Sequence, residues 1–232
     1  MLLGARQFFE RRGAPTPTDP PWLEIENSSD NAYSNSPMFD TGITPDASTE
    51  YEFSMLILKK LAQYCNFFIS RSSTDAYGYA NNFGVRNAFS SDTYVFTANS
   101  AGVMNDYRIS QNASVLADRF TVKYQIGEAT ITIVDGTSTT KSLSTASQSF
   151  SGLPTIKIWG DGLMKYATPA NGTKLWYVKI WQGGSLVRDM VPALASNGQG
   201  CLYDKVSAAF FKDVWGNAGD VVIHGTTNYI ET

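Results

Sequence analysis

The 232-residue sequence predicts an all-β protein, an antiparallel two-sheet sandwich preceded by a short N-terminal arm. Three observations carry that prediction. The chain holds 13 Phe, 12 Tyr and 5 Trp beside 19 Gly, a mixture that suits short strands and tight turns better than helices. Apolar and polar residues alternate with period 2 in stretch after stretch, clearest from Phe120 onward and from Lys174 onward. Turn signals such as Asp135-Gly136 and Gly183-Gly184 separate those stretches, so that roughly ten or more short strands with at most one or two helical turns follow. Consecutive short hairpins pair antiparallel, and the sequence shows no internal repeat, which sets propellers and β-helices aside.

In chain order, residues 1–20 form the arm. A short helix over Leu2 to Arg12 precedes a linker holding Pro15, Pro17, Pro20 and Pro21. Proline at that density favours extended, solvated chain. Residues 21–232 form one domain. Trp22 to Glu26 alternates Leu23 and Ile25 with Glu24 and Glu26, an outer strand with solvated carboxylates. Met38 to Ile43 is a short strand, and Thr44-Pro45-Asp46 a turn. Glu50 to Ile57 puts Tyr51, Phe53, Met55 and Ile57 on one face. LKKLAQYCNFFIS reads as an irregular strand pair, and residues 70–92 break the period. Tyr94 to Thr97 is a strand, Gly102 to Arg108 a loop, and Ser114 to Asp118 a helical turn.

A meander follows. Phe120, Val122, Tyr124 and Ile126 alternate with Thr121, Lys123 and Gln125, Gly127-Glu128 turns, and Ile131 and Ile133 lie across from Thr130 and Thr132. Asp135-Gly136 turns again because both residues tolerate the left-handed conformation. Thr139 to Leu143 returns, and Thr155 to Trp159 is a strand with Ile156 and Ile158 inward. Lys174 then opens a hairpin. Its first strand sets Trp176, Val178 and Ile180 on one face and Leu175, Tyr177, Lys179 and Trp181 on the other; Gly183-Gly184 turns it; the return strand carries Arg188 and Asp189 outward and ends at Pro192.

Composition narrows function. A 43% hydrophobic content is enough for a sizeable core. The net charge of -3 and pI near 5.2 argue against a partner with a phosphate backbone. The arm lacks the uninterrupted apolar run of a secretory leader or a membrane span. Cys65 and Cys201 read as buried thiols of a chain made in a reducing cytoplasm. With His224 as the one histidine and no zinc spacing around it, neither a metal site nor a cofactor is expected.

The hairpin that ends in VRDMVPA, a polar spacer, GCLYD and AFF resembles the C-terminal signature of concanavalin A-like (laminin-G-like) jelly-roll domains of phage and prophage structural proteins, which reads close to RDFVP…GLYD…FF. WLEIENSSDNAYSNSPMFDTGITPDASTEYEF is similar to that family's opening, with Asp40, Thr41, Gly42, Ile43, Pro45 and Asp46 at matching positions. The resemblance covers roughly residues 21 to 224. It implies a jelly-roll path for the two sheets and a place on a virion assembled in the host cytoplasm.

Catalysis finds little support. Glycoside hydrolysis needs two carboxylates flanking a cleft, and the acidic strand pattern E-x-D-x-x-E is missing. Glu24 with Glu26, and Glu50 with Glu52, read as outward solvated pairs. His224 has no nucleophile elbow to serve, no phosphate-binding loop appears, and Asp40, Asp46, Asp135 and Asp161 sit at turns without a dense calcium-loop pattern. Binding fits better. Tyr77, Tyr79, Asn81, Asn82, Asn105, Asp106 and Tyr107 supply the aromatic faces and hydrogen-bonding groups that hold sugars, and they equally suit a protein partner or packing on the sandwich. Leu2, Leu3, Phe8, Phe9, Arg11 and Arg12 are the anchoring candidates on the arm, facing other virion proteins. The expectation is therefore a non-enzymatic virion component, a head decoration, fibre or tail-associated protein, displayed as a homo-oligomer and presenting a lectin-like sandwich to glycans. A glycan-degrading enzyme of the same fold and a cellular carbohydrate-binding module are the alternatives.

Overall fold

The computed structural model describes residues 20–26, 37–56, 65–72, 82–88, 92–96, 106–110, 119–133, 138–142, 150–160, 172–214 and 221–232. Among them are sixteen strands. The described residues include no helix, and so none long and apolar enough to cross a membrane. Residues 1–19 of the arm, with the helix over Leu2 to Arg12 and its six anchoring candidates, the turn over Ser114 to Asp118 and Asp135-Gly136 lie outside the described residues.

The strands are β1 (Trp22–Ile25), β2 (Phe39–Asp40), β3 (Glu50–Leu56), β4 (Cys65–Arg71), β5 (Asn82–Ala88), β6 (Asp92–Phe96), β7 (Asp106–Ser110), β8 (Phe120–Gln125), β9 (Glu128–Ile133), β10 (Ser138–Ser142), β11 (Lys157–Ile158), β12 (Lys174–Gln182), β13 (Ser185–Leu194), β14 (Gly200–Asp204), β15 (Ala209–Phe211) and β16 (Val221–His224). They make two sheets. One is ten-stranded, in the order β10-β9-β8-β3-β12-β13-β14-β15 with β1 joining β12 to β16; the other is six-stranded, β2-β11-β4-β5-β6-β7. The ladders are antiparallel throughout both, as the hairpin signals require.

The sheets bury one core between them. Tyr51 of β3 reaches across to Phe68 of β4, ring centroids 4.5 Å apart, and meets Phe83 of β5 edge-on at 5.6 Å. Phe53, Met55, Phe120, Val122, Tyr124, Val178 and Ile180 extend this layer from the large sheet, and Phe39, Val85 and Ile158 from the small one. Those of β3, β8 and β12 are the inward residues of alternating strands, so the period-2 pattern chose them.

Four local expectations need correcting. The turn before β3 begins two residues later than Thr44-Pro45-Asp46, spanning Asp46 to Thr49: Thr49 N donates to Asp46 O at 3.1 Å, while the Asp46 carboxylate accepts from Ser48 N at 2.8 Å. Asp106 to Arg108 belong to strand β7 instead of a loop. β13 runs through Pro192 to Leu194. Leu194 N turns away from β14 to Tyr229 O, 3.0 Å, so by alternation Pro192 N also faces the side where β12 no longer pairs, and the missing N–H breaks no ladder bond. Finally, β1 is no outer strand, because β12 flanks it on one side and β16 on the other.

A fifth correction shapes the outer surface. Leu175 pairs with Met55 and Tyr177 with Ser54, leaving Trp176 as the extra residue of a β-bulge. The bulge reverses the expected faces at the start of β12. Leu175 enters the core with Val178 and Ile180, while Trp176 and Tyr177 both stay half-buried at the surface.

The two motifs that carried the family resemblance meet in space. Arg188 Nε donates to Thr41 O at 2.9 Å, and its NH1 lies 3.5 Å from the Asp204 carboxylate. Asp204 is fully buried and accepts from Asp189 N at 2.8 Å, Val206 N at 3.2 Å and Ser207 Oγ at 2.6 Å. Gly42 passes so close that an added Cβ would stand 3.4 Å from the guanidinium. These residues form a clamp, buried at Asp204 and half-buried at Arg188, between the β2 loop and the β13–β14 hairpin. They explain the motif structurally, without a ligand. Gly200 has a similar reason: a Cβ there would meet Leu23 at 2.8 Å and Val221 at 2.9 Å.

Cys201 is a free, buried thiol. Burial, then the Glu231 carboxylate, pushes it up to about 12, with Lys212 opposing. Such a thiol is a poor nucleophile.

Candidate functional site

β1 and the residue that follows it contribute Trp22, Glu24 and Glu26 to the face of the ten-stranded sheet opposite the core, because Leu23 and Ile25 point inward. β16 crosses beside it with Trp22 paired to His224 and Glu24 to Val222. β12 adds Lys174, Trp176, Tyr177 and Lys179, and β3 adds Glu52 and Ser54 through their pairing with β12. The result is an aromatic and charged face built on rigid strands.

Its centre is tightly cross-linked. Trp22 stacks on His224 with centroids 5.3 Å apart and planes 11° from parallel, and it leans on Trp176 at 6.1 Å. Lys174 Nζ lies 4.8 Å from the Trp22 ring and the Arg119 guanidinium 4.5 Å from the Trp176 ring, contacts each worth about 0.5–1 kcal/mol at a surface. Arg119 Nε also donates to Ser54 Oγ at 2.9 Å. Tyr177 donates to Glu52 at 2.8 Å; burial first, then that carboxylate, pushes its hydroxyl up to about 12.

The expectation of solvated carboxylates on β1 fails for Glu24. The residue is 4% exposed. Its Oε2 faces Trp22 Nε1 at 3.2 Å, Lys174 Nζ at 3.3 Å and His224 Nε2 at 3.4 Å. His224 Nε2 is also 2.9 Å from Glu26 Oε1. A buried carboxylate must be paired, and on this face the partners come from three strands. The turn aspartates behave differently: Asp40 pairs with Lys157 and caps Gly42 N, and Asp46 holds its own turn.

Of the seven binding candidates expected from sequence, Tyr77, Tyr79, Asn81 and Asn105 lie outside the described residues. Asn82 opens β5 and Asp106 and Tyr107 open β7. Gly84 pairs with Phe96 and Phe96 with Asp106, so the backbone brings Asn82 and Asp106 to the same end of the small sheet, Asp106 on its edge strand. The outer-face residues Trp22, Arg119, Lys174, Trp176 and Tyr177 were missed as a group. The outward alternation of Trp22, Glu24 and Glu26 was the available signal.

No family model matches the sequence, and no curated protein matches it. Solved structures show distant likenesses. The enzymatically active domain of bacteriophage CBA120 tailspike protein 2 aligns over 74% of this chain and 30% of its own, with 10% identity and a TM-score of 0.46. The carbohydrate-binding module (CBM40) of the Ruminococcus gnavus IT-sialidase, solved with α2,3-sialyllactose, aligns over 62% of this chain and 84% of its own, with 12% identity and a TM-score of 0.43. A Scytalido-glutamic peptidase aligns over 90% and 97% with 12% identity and a TM-score of 0.32. This chain thus spans less than a third of the tailspike domain, and at these scores none of the likenesses decides what it does.

Proposed function

We propose that this chain is a non-enzymatic glycan-binding sandwich carried on a bacteriophage virion, its sheets following the jelly-roll path of concanavalin A-like domains. The observation that carries the binding reading is the outer face itself. Trp22, Trp176 and Tyr177 stand half-buried on the surface side of the large sheet, ringed by Arg119, Lys174, Glu26 and Glu52. An indole or phenol face packs against the C–H face of a pyranose, and the surrounding charged groups bond its hydroxyls. Binding is favoured over hydrolysis because Glu24, the one buried carboxylate of the face, is enclosed by Trp22, Lys174 and His224 instead of standing open toward a substrate. The end of the small sheet near Asn82 and Asp106 remains the second glycan surface.

The test is a glycan array followed by titration of the best ligand against Trp176→Ala. The expected result is at least a tenfold loss of affinity, about 1.4 kcal/mol, with the folded baseline unchanged. Equal binding by the variant moves the site off this face. The absence of any glycan ligand defeats the reading.

The virion placement rests on the paired motifs, DTGITPD and RDMVP…GCLYD. The arm, residues 1–20, attaches the sandwich to other virion proteins, and repetition on the particle raises weak contacts through effective concentration. Full-length protein is expected to co-sediment with particles of the encoding phage, and protein lacking residues 1–20 to stay in the supernatant while still folded. Sedimentation of neither form speaks against a virion component.

A further inference from the structure

We infer that Glu24, Glu26 and His224 form a binding site for one zinc ion that ties β1 to β16. This goes beyond the glycan reading and does not depend on it. β1 sets the two glutamates two residues apart on one face, and β16 delivers the imidazole beside them. One ligand atom from each lies within 4.8 Å of the other two.

Three features argue for an ion at the centre. The first is spacing. Ligands about 2.1 Å from zinc stand about 3.0 Å apart at a right angle and about 3.4 Å apart at the tetrahedral angle. His224 Nε2 lies 2.9 Å from Glu26 Oε1 and 3.4 Å from Glu24 Oε2, so two of the three donor separations already have these values.

The second is the poor service of Glu24. Its Oε2 has three neighbouring donors at 3.2, 3.3 and 3.4 Å, whereas charge-assisted hydrogen bonds run to about 2.7–2.9 Å. A carboxylate 5% exposed, whose one ammonium partner at that oxygen stands 3.3 Å away, gains from a second cation at closer range. Furthermore, a neutral imidazole has one proton at most on Nε2, yet this atom faces two carboxylates. A metal ion serves both.

The third is access. The side chains of His224 and Glu26 are 31% and 39% exposed, leaving an approach and an open coordination position for water. An imidazole with two carboxylates suits zinc over magnesium or calcium, which prefer oxygen ligands throughout. The stacked Trp22 ring fixes the imidazole plane, and the two carboxylates together balance the charge of one zinc ion.

Purified full-length protein, stripped with chelator, is titrated with zinc chloride by calorimetry, with calcium and magnesium chlorides in parallel. The expected result is one zinc per chain, a higher Tm on loading, and reversal by chelator. Glu26→Gln, at a half-exposed position, and His224→Gln should each weaken zinc binding at least tenfold. X-ray absorption at the zinc edge should show one imidazole among nitrogen and oxygen ligands. Should His224→Gln disturb the β1–β16 pair, Glu26→Gln decides. No stoichiometric binding overturns the inference, as does undiminished affinity in Glu26→Gln or a spectrum without imidazole.

Discussion

Gly84→Ala should leave little folded protein. At position 84 a Cβ would stand 2.1 Å from the Phe68 carbonyl oxygen and 2.7 Å from Ile69 Cα, and the backbone φ is +139°. The obstacle is backbone, so no rotamer change relieves it. β4 and β5 must separate at the point where Phe68 and Phe83 seal the core against Tyr51. Overpacking costs about 1–3 kcal/mol and the unfavourable φ about 1–2 kcal/mol more, so a loss on the order of 2–5 kcal/mol is expected. That consumes much of a typical domain's stability. Urea unfolding, or the soluble yield if the variant does not refold, measures it. A midpoint equal to the parent's would show that the two strands do not approach this closely.

Asp204→Ala should be nearly as damaging, for an electrostatic reason. Removing the carboxylate takes away the only carboxylate paired with Arg188 among the described residues, which keeps just the Thr41 and Val187 carbonyls as acceptors, and leaves Asp189 N, Val206 N and Ser207 Oγ without their acceptor. Breaking a buried pair on one side costs about 3–5 kcal/mol. The same carboxylate predicts a pH dependence. Burial pushes the Asp204 carboxyl up, but the hydrogen bonds from Ser207, Asp189 and Val206 outweigh it and hold the group below its ordinary 3.8. The unfolded chain therefore takes up this proton first as pH falls. Stability is full well above pH 4, begins to decline around 3.8, and is lost as pH falls through the lower folded value. Asp40 acts in the same direction: burial opposes, while Lys157 and Gly42 N prevail and lower it. Asp204→Asn should fold with reduced stability and flatten the acid limb of a denaturation series. An unchanged acid limb would remove Asp204 from this role.

What the sequence made legible was local. The β8–β9 hairpin and the Gly183-Gly184 turn are encoded within a few residues of the contacts they form, so alternation and positive-φ glycines reveal them. The bulge at Trp176 was hidden because one extra residue inverts a period-2 pattern without leaving a compositional mark. Asn105, Asp106 and the small residues around Gly102 have the chemistry of a turn, whereas pairing to β6 makes Asp106 onward a strand. The environment of Glu24 was the least accessible. A carboxylate beside a proline linker looks solvated until β16 and β12, from the far end of the chain, close over it.

The clamp around Asp204 also changes what the family-like motif means. Arg188, Asp204 and Gly42, which lie within the two motifs, hold the β2 loop against the β13–β14 hairpin. Binding on the outer face is free to vary around them, in keeping with the way sandwiches host unrelated sites.

The place of β1 bears on the order of synthesis. β1 pairs with β12, which is made about 150 residues after it, and with β16, about 200 after it. Until those arrive, Leu23 and Ile25 have no core to enter, although they are fully buried in the end. The first strand of the sandwich is therefore among the last to be seated, and a ribosome stalled before residue 174 would hold a chain whose opening strand is exposed and prone to pair with a neighbour's.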